Sequence, residues 1–176
     1  MPSDGPTEDP PTGSSQTITL EEGWNLVGTS IIPEQPALED ILGDAADAIT
    51  LVKDVDGNLF FPELGLNDIG SWDVGQAYYV LAHTASSFTI NGDPVDPTTP
   101  VAVEPGWNLV PYHGTGSVPM AEAFSGGDET VVMARATGEA VYYPAEAVAT
   151  LSHAEPGRGY LVYVTESGLL TMGGTP

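Results

Sequence analysis

The sequence predicts a mainly β protein built from two similar β-rich modules, with one short helix in each. Short apolar runs alternate with polar residues, which is typical of half-buried strands. Glycine, proline, aspartate and asparagine lie between these runs and predict turns. A set of sequence blocks also occurs twice in the same order. With 176 residues, the chain is long enough for one ordinary domain or two small ones.

Five blocks of the first half recur in the second half at a nearly constant offset. The matched segments are 22–27 with 105–110, 38–42 with 120–124, 59–62 with 141–144, 75–80 with 157–162, and 88–92 with 170–174. The first block carries Gly-Trp-Asn-Leu-Val in both copies. Repeated blocks in one order predict two copies of one structural unit, which we interpret as an internal duplication.

The repeat divides the chain into four parts. Residues 1–17 form an acidic, proline-rich N-terminal arm, which is predicted to be flexible because it has little apolar surface to bury. Residues 18–92 and 101–174 are the two β-rich modules. Residues 93–100 form a stiff, proline-rich linker between them.

Each module is expected to have the element order β-β-α-β-β-β-β. The helix of the first module is predicted over 36–42, with Pro36 near its first turn and Gly43 after its end. Asp56-Gly57 lies between two apolar runs and predicts a hairpin turn, as does the corresponding 137–138 in the second module.

The charge of the chain is strongly negative. There are 25 acidic residues against three basic ones, Lys53, Arg135 and Arg158, which gives a net charge of −22. Self-repulsion weakens the compact state in dilute buffer, whereas at molar salt the screening length falls to about 3 Å. We therefore expect a protein of an extreme halophile or of its virus; the alternative is an acidic surface protein kept soluble by its charge. Nucleic acid is excluded as a partner, because three cations cannot form a basic face.

The composition excludes several other classes of function. The chain has no cysteine, so disulfides, thiolate metal sites and a cysteine nucleophile are excluded. No apolar run approaches the roughly 18 residues needed to cross a membrane, so membrane insertion is not expected. The first residues have neither the basic start nor the apolar stretch of a secretory signal. We expect either that the protein is not exported through such a signal or that a leader was removed and replaced by Met1.

Metal binding and catalysis have weak candidates only. Asp54-Val-Asp56-Gly57-Asn58 has the alternating oxygen ligands of a calcium loop, but it lacks the closing glutamate. Its counterpart turn at 135–139 keeps glycine and loses these acids, so we interpret both segments as turns. His83, His113 and His153 are scattered, without the i, i+4 spacing of paired ligands. We predict a protein that is not an enzyme and needs no cofactor or metal.

The aromatic residues are the candidates for binding. Trp24 and Trp107 hold equivalent places in the two modules, which predicts a core or interface role for both. Trp72 has Ala154 as its counterpart, so it is a candidate for an exposed platform that stacks on a sugar or contacts a partner chain. Tyr112 could join the same surface. The alternative is that Trp72 fills the edge of its own module.

The repeated pattern resembles a known kind of module. A Gly-Trp-Asn-Leu-Val opening, a short helix, an aromatic-aromatic-Pro turn and a Gly-x-x-Tyr-x-Val closing strand are similar to the tandem "GWN" modules of bacterial surface and secreted proteins. The resemblance covers most of residues 18–174. It implies attachment or binding rather than catalysis.

These features predict a structural or interaction protein of a larger assembly. We expect a virion component, namely a capsid decoration, fibre or tail protein. The alternative is a carbohydrate-binding or adhesion module of a secreted, extracellular or cell-surface protein from a halophilic bacterium. The arm would contact other protein chains through Met1, Pro6, Pro10 and Pro11, because prolines lower the entropy lost on docking. A homo-oligomer and a glycan ligand remain open.

Overall fold

The computed structural model describes residues 13–124 and 130–174. The protein is mainly β with a few short helices, which confirms the predicted fold class. Each half contains one five-stranded antiparallel sheet, and smaller sheets pack beside them. Within the described residues, no helix has the length and apolar character required to span a membrane.

From residue 13 onward, the first half contains eight strands and one α-helix. These are β1 (Ser14–Leu20), β2 (Gly23–Val27), β3 (Ile31–Pro33), α1 (Leu38–Leu42), β4 (Ile49–Lys53), β5 (Leu59–Phe61), β6 (Leu66–Asn67), β7 (Tyr78–Ala82) and β8 (Ser86–Pro94). Short 3-10 helices cover Gly43–Ala48 and Pro62–Leu64.

The second half has nine strands and one α-helix among its described residues. These are β9 (Val101–Val103), β10 (Gly106–Pro111), β11 (Val118–Pro119), α2 (Met120–Ala123), β12 (Val131–Arg135), β13 (Val141–Tyr143), β14 (Val148–Ala149), β15 (His153–Ala154), β16 (Gly159–Val164) and β17 (Gly168–Leu170). A 3-10 helix covers Pro144–Glu146.

The two five-stranded sheets have the same strand order and the same register. The order is β2-β7-β4-β5-β6 in the first sheet and β10-β16-β12-β13-β14 in the second. Trp24 lies opposite Leu81, and Trp107 lies opposite Tyr163. The register shifts at the matched positions of β4 and β12. The two sheets therefore share one topology, while their origin by duplication stays a prediction.

The predicted limits of the arm and the linker need correction. Strand β1 begins at Ser14 and pairs with β8 along its full length, and the hydroxyl groups of Thr17 and Thr89 lie 2.9 Å apart. Strand β8 also continues to Pro94, where it pairs with β3. Residues 14–17 and 93–94 are therefore strand, because the alternation of polar and apolar residues extends beyond the matched blocks.

The predicted hairpin turns are confirmed, and the predicted helix is shorter than expected. Gly57 and Gly138 have φ angles of 89° and 93° between β4 and β5 and between β12 and β13. Such positive φ angles suit glycine, which explains its presence in both turns. Helix α1 begins at Leu38 because Pro36 accepts a hydrogen bond from the backbone of Trp72 instead.

Each half buries its own apolar core. The inward side of the first sheet packs against α1 and the β1–β8 pair, and the inward side of the second sheet packs against α2 and the β9–β17 pair. The largest fully buried side chains of these cores are Leu20, Leu38, Leu42, Tyr78 and Ile90 in the first half and Tyr112, Met120, Phe124, Leu170 and Met172 in the second.

The two halves are joined by a small apolar cluster and by backbone hydrogen bonds. Leu26 and Ala77 of the first half pack with Leu109 of the second. The backbone N–H of Ala77 donates to the carbonyl of Leu109 at 3.1 Å. A Cβ on Gly28 would lie 2.7 Å from the Cβ of Pro111, so the two halves approach each other here too closely for any residue larger than glycine. The two outward sheet faces consequently converge.

Candidate functional site

The repeated Gly-Trp-Asn motif builds a turn whose glycine and asparagine are structural. Gly23 and Gly106 have φ angles of 100° and 107°. The Asn25 amide accepts from the backbone N–H of Glu21 at 3.0 Å and donates to the carbonyl of the same residue at 2.8 Å. Asn108 makes the same pair of bonds at the same distances. In both modules the asparagine side chain thus closes the loop between two strands by hydrogen bonding to the backbone N–H and carbonyl groups of the loop.

The tryptophan of the motif points outward in both modules. Trp24 is 49% exposed and Trp107 is 45% exposed, so the core reading of the pair is wrong. Each indole packs edge-to-face on a tyrosine of the neighbouring strand, Tyr79 at 6.0 Å and Tyr163 at 5.2 Å between ring centroids. Strand alternation explains the outward direction, because Asn25 must face inward to bind the loop.

The proposed surface role of Trp72 is wrong. Its side chain is only 4% exposed, and its ring packs 4.4 Å from Tyr78 and 6.3 Å from Phe88 between centroids. Trp72 fills the core at the edge of its own module, which is the alternative reading given above. Burial of this large ring stabilises the module and leaves it unable to stack on a sugar.

Tyr112 is also buried and cannot join a binding surface. It is 0% exposed, and its hydroxyl donates to the carbonyl of Gly116 at 2.7 Å. It lies in the second core, near Tyr160. A neighbouring proline and glycines suggested exposure, but Tyr112 follows the last residue of β10 and still faces inward.

Tyr78 and Tyr160 are equivalent buried tyrosines that accept the same backbone hydrogen bond. The N–H of Asp73 donates to the Tyr78 hydroxyl at 2.8 Å, and the N–H of Glu155 donates to the Tyr160 hydroxyl at 2.9 Å. Burial raises the pKa of each phenol to about 12. Both tyrosines therefore remain neutral at ordinary pH and hold the loop before the strand.

The weak metal and catalytic candidates have local structural roles. Asp54 accepts from the backbone N–H of Asn58 at 2.8 Å and from its side-chain amide at 2.7 Å, so it closes the hairpin turn. His83 and His113 bind backbone carbonyls of Asp47 and Val74, respectively. In residues 13–124 and 130–174, no group of three or more acidic or histidine side chains is arranged to hold a metal ion.

A groove of about 460 Å³ lies where the two outward sheet faces converge. We call it the inter-module groove. Its first wall is formed by Trp24, Leu26, Lys53 and Tyr79, and its second wall by Arg135, Ala136, Thr137, Gly138 and Leu161. In the second wall, Arg135 ends β12, residues 136–138 belong to the turn between β12 and β13, and Leu161 belongs to β16. Lys53 holds the place in the first module that matches Arg135. The lining contains two basic residues and no acidic one.

A second cavity of about 540 Å³ adjoins this groove and shares Trp24 and Thr137 with it. Arg158 lines this adjoining cavity, together with Glu21 and Glu155. All three basic residues of the chain therefore line these two neighbouring cavities. Sequence reasoning missed this site, although Lys53 and Arg135 occupy matched positions of the repeat and could have indicated it.

The remaining predicted contact residues cannot be placed. Met1, Pro6, Pro10 and Pro11 of the N-terminal arm lie outside the described residues. Comparison with known proteins gave no match, whether with family models, with curated proteins or with solved structures.

Proposed function

We propose that this chain is a non-catalytic interaction protein of a larger assembly that works at high salt. The observation that supports the proposal is the outward aromatic side of both modules. Trp24 and Trp107 are about half exposed at equivalent places, and each forms an aromatic patch with a neighbouring tyrosine, which is typical of an interaction site. Neither ring is needed for a core, so a contact with another molecule accounts for both.

The setting that we propose is a virion, with the chain acting as a capsid decoration, fibre or tail component. The net charge of −22 supports a high-salt environment, because salt screens the repulsion between the acidic residues that would otherwise destabilise the folded state. The resemblance to tandem "GWN" modules supports attachment as the role. Contact with other protein chains through the N-terminal arm is part of the same proposal.

The second candidate is a carbohydrate-binding or adhesion module of a surface protein. The inter-module groove favours it, because an exposed tryptophan and a tyrosine lie beside hydrogen-bonding groups in a groove of ligand size. This candidate predicts association with a cell envelope rather than with particles.

The test is to purify particles and cell envelopes from the native source and measure where the chain is found in stoichiometric amount. A variant that lacks residues 1–12 keeps β1 intact, since that strand begins at Ser14. We expect it to fold as judged by circular dichroism and to be lost from the particle. Normal incorporation would contradict the arm as the attachment, and absence from particles would contradict the virion setting.

A further inference from the structure

The inter-module groove has the opposite charge from the rest of the chain. Nine residues line it, and two of them are basic while none is acidic. The whole chain has only three basic residues against 25 acidic ones. Two modules with separate cores each contribute one cation at a matched position, Lys53 from β4 and Arg135 from β12. Neither cation belongs to one of the two apolar cores.

The two cations are not neutralised by the protein itself. Among the described residues, no carboxylate lies within ion-pairing distance of Lys53 or Arg135. The Arg135 guanidinium makes one long bond, from Nη2 to the carbonyl of Gly138 at 3.4 Å, and its Nε is buried without a partner. A buried donor without an acceptor is destabilising unless a ligand or water supplies the acceptor. The groove therefore offers fixed donors to an anionic group.

The aromatic wall of the groove suits a flat, partly apolar ligand. Trp24 is held by Tyr79 with the two ring planes 84° apart, which leaves about half of the indole surface accessible. The hydroxyl groups of Tyr79 and Thr137 take part in no hydrogen bond among the described residues. One face of a sugar ring is apolar and its edge carries hydroxyl groups, so it complements such a wall.

We propose that the inter-module groove binds an acidic saccharide, with the sugar ring on Trp24 and its carboxylate between Lys53 and Arg135. The proposal deepens the second candidate function and rests on it. Arginine and lysine bind carboxylates by charge-assisted hydrogen bonds, and the planar guanidinium can do so with two parallel bonds. The hydroxyl groups of Tyr79 and Thr137 then bind the sugar edge.

A saccharide fits the groove better than a protein partner does. A groove of about 460 Å³ lies in the range of small-ligand sites. A stable protein partner covers about 800 Å² on each side, and the acidic surface around the groove would repel an acidic polypeptide. A single uronate residue carries one carboxylate, which the two cations of the groove can bind.

The test is calorimetric titration of the purified chain with trisaccharides of galacturonate, glucuronate and mannuronate. The matched ligand controls are their methyl esters, which keep the ring and lose the charge. Hexaglutamate tests an acidic peptide. Titration in 1 M potassium chloride, where the screening length is about 3 Å, keeps only contacts at close range. We expect one of the uronates to bind, its ester to bind about ten-fold more weakly, and hexaglutamate not to bind.

Three variants and one matched control locate the site. Lys53→Gln and Arg135→Gln should each weaken uronate binding about ten-fold, since each removes a charge-assisted bond. Trp24→Ala should weaken it for both the acid and the ester. Trp107→Ala is the control, because Trp107 has a similar exposure and also packs on a tyrosine, Tyr163, but does not line the groove. Lys53 is exposed, so its substitution keeps the test valid even if Arg135→Gln fails to fold.

The proposal is overturned if none of the three uronates binds, if the ester binds as tightly as the acid, or if hexaglutamate binds more tightly. Equal losses for Trp24→Ala and Trp107→Ala would also overturn it, because the site would then lie outside the groove. These titrations use the isolated chain, so their result is independent of whether the protein is incorporated into a particle.

Discussion

The two modules share the strand pairing of their five-stranded sheets but fill their cores differently. Their five-stranded sheets share strand order, register and the position of one bulge. In the first module, Trp72 packs on Tyr78. In the second, the place of Trp72 is taken by Ala154, and Tyr112 lies near Tyr160 instead. The aromatic volume beside the paired tyrosine is thus supplied from different segments, the one before β7 in the first module and the one after β10 in the second.

This difference separates residues that define the backbone from residues that fill space. Asn25 and Asn108 keep the same hydrogen bonds in both modules, and glycine keeps the same positive φ before them. Different apolar side chains can fill the same core as long as no cavity remains. A loop carbonyl and N–H group, by contrast, need one particular side chain to form their hydrogen bonds.

Removing the large ring that only one module has should give the largest effect. We expect Trp72→Ala to lower the free energy of unfolding by about 3–5 kcal/mol, because it leaves a cavity beside Tyr78. Trp107→Ala should cost less than about 1 kcal/mol, since that ring is half exposed. Urea denaturation followed by circular dichroism measures both. Equal costs would contradict the burial of Trp72.

The next largest effect should come from the loop asparagines, and it should differ between the modules. Asn25 is buried and also donates to the carbonyl of Val80 at 3.4 Å, whereas the bonds of Asn108 are exposed to water. We expect Asn25→Ala to cost about 2–3 kcal/mol and Asn108→Ala about 1 kcal/mol, because water can replace the lost partner only in the second module. Thermal unfolding of the two variants measures the difference, and a reversed order would show that burial does not set the cost.

The two buried tyrosines should make both modules equally sensitive to alkali. Their folded pKa is raised to about 12 from an ordinary value of 10. The two tyrosines contribute their full stabilisation below pH 10. This contribution is lost as the pH rises toward 12, because the phenols of the unfolded chain release their protons at a lower pH than those of the folded chain. We expect the melting temperature to fall over that window. Tyr78→Phe and Tyr160→Phe should each remove a similar part of the fall, and an unchanged slope in either would contradict the equivalence.

The smallest expected difference is in the response to salt. The first module, residues 18–92, carries 12 carboxylates and one lysine, whereas residues 101–174 carry eight carboxylates and two arginines. Net charges of −11 and −6 follow, so screening should stabilise the first module more. Hydrogen exchange from dilute buffer to molar potassium chloride measures each module separately. We expect protection to rise in both and more steeply in the first, and a flat response would remove the high-salt interpretation.

The longer strands and the hairpin turns could be predicted because each depends on local pattern. The predicted order of six strands in each module was incomplete, because strands of two or three residues are too short to show alternation. The strands that were missed are β3, β6, β11, β14 and β15. Gly57 and Gly138 mark turns by their position alone, and the matched blocks aligned the strands correctly. The outward direction of Trp24 could not be predicted. In the run Trp-Asn-Leu-Val, apolar residues occur at both odd and even positions, so alternation does not show which side of the strand faces the core. Leu26 is buried partly by Leu109 of the other module, a contact that no local pattern shows.

The groove could be predicted only in part. The matched positions of Lys53 and Arg135 are visible in the sequence, but their approach depends on how the two sheets meet. That meeting is set by close backbone contact at Gly28 and Gly159, where a Cβ would collide with Pro111 and Ala77. Trp72 and Tyr112 were misplaced because loops and strand ends carry no periodicity that reports burial.

The last strand of each five-stranded sheet is only two residues long. Strands β6 and β14 each follow a one-turn helix that begins with proline, at Pro62 and Pro144. Such a short edge offers few free N–H and C=O groups to the edge of another molecule. In molar salt, charge repulsion no longer keeps acidic copies apart, and edge-to-edge aggregation becomes the hazard. Because β6 and β14 are so short, they protect these sheet edges from aggregation at any ionic strength.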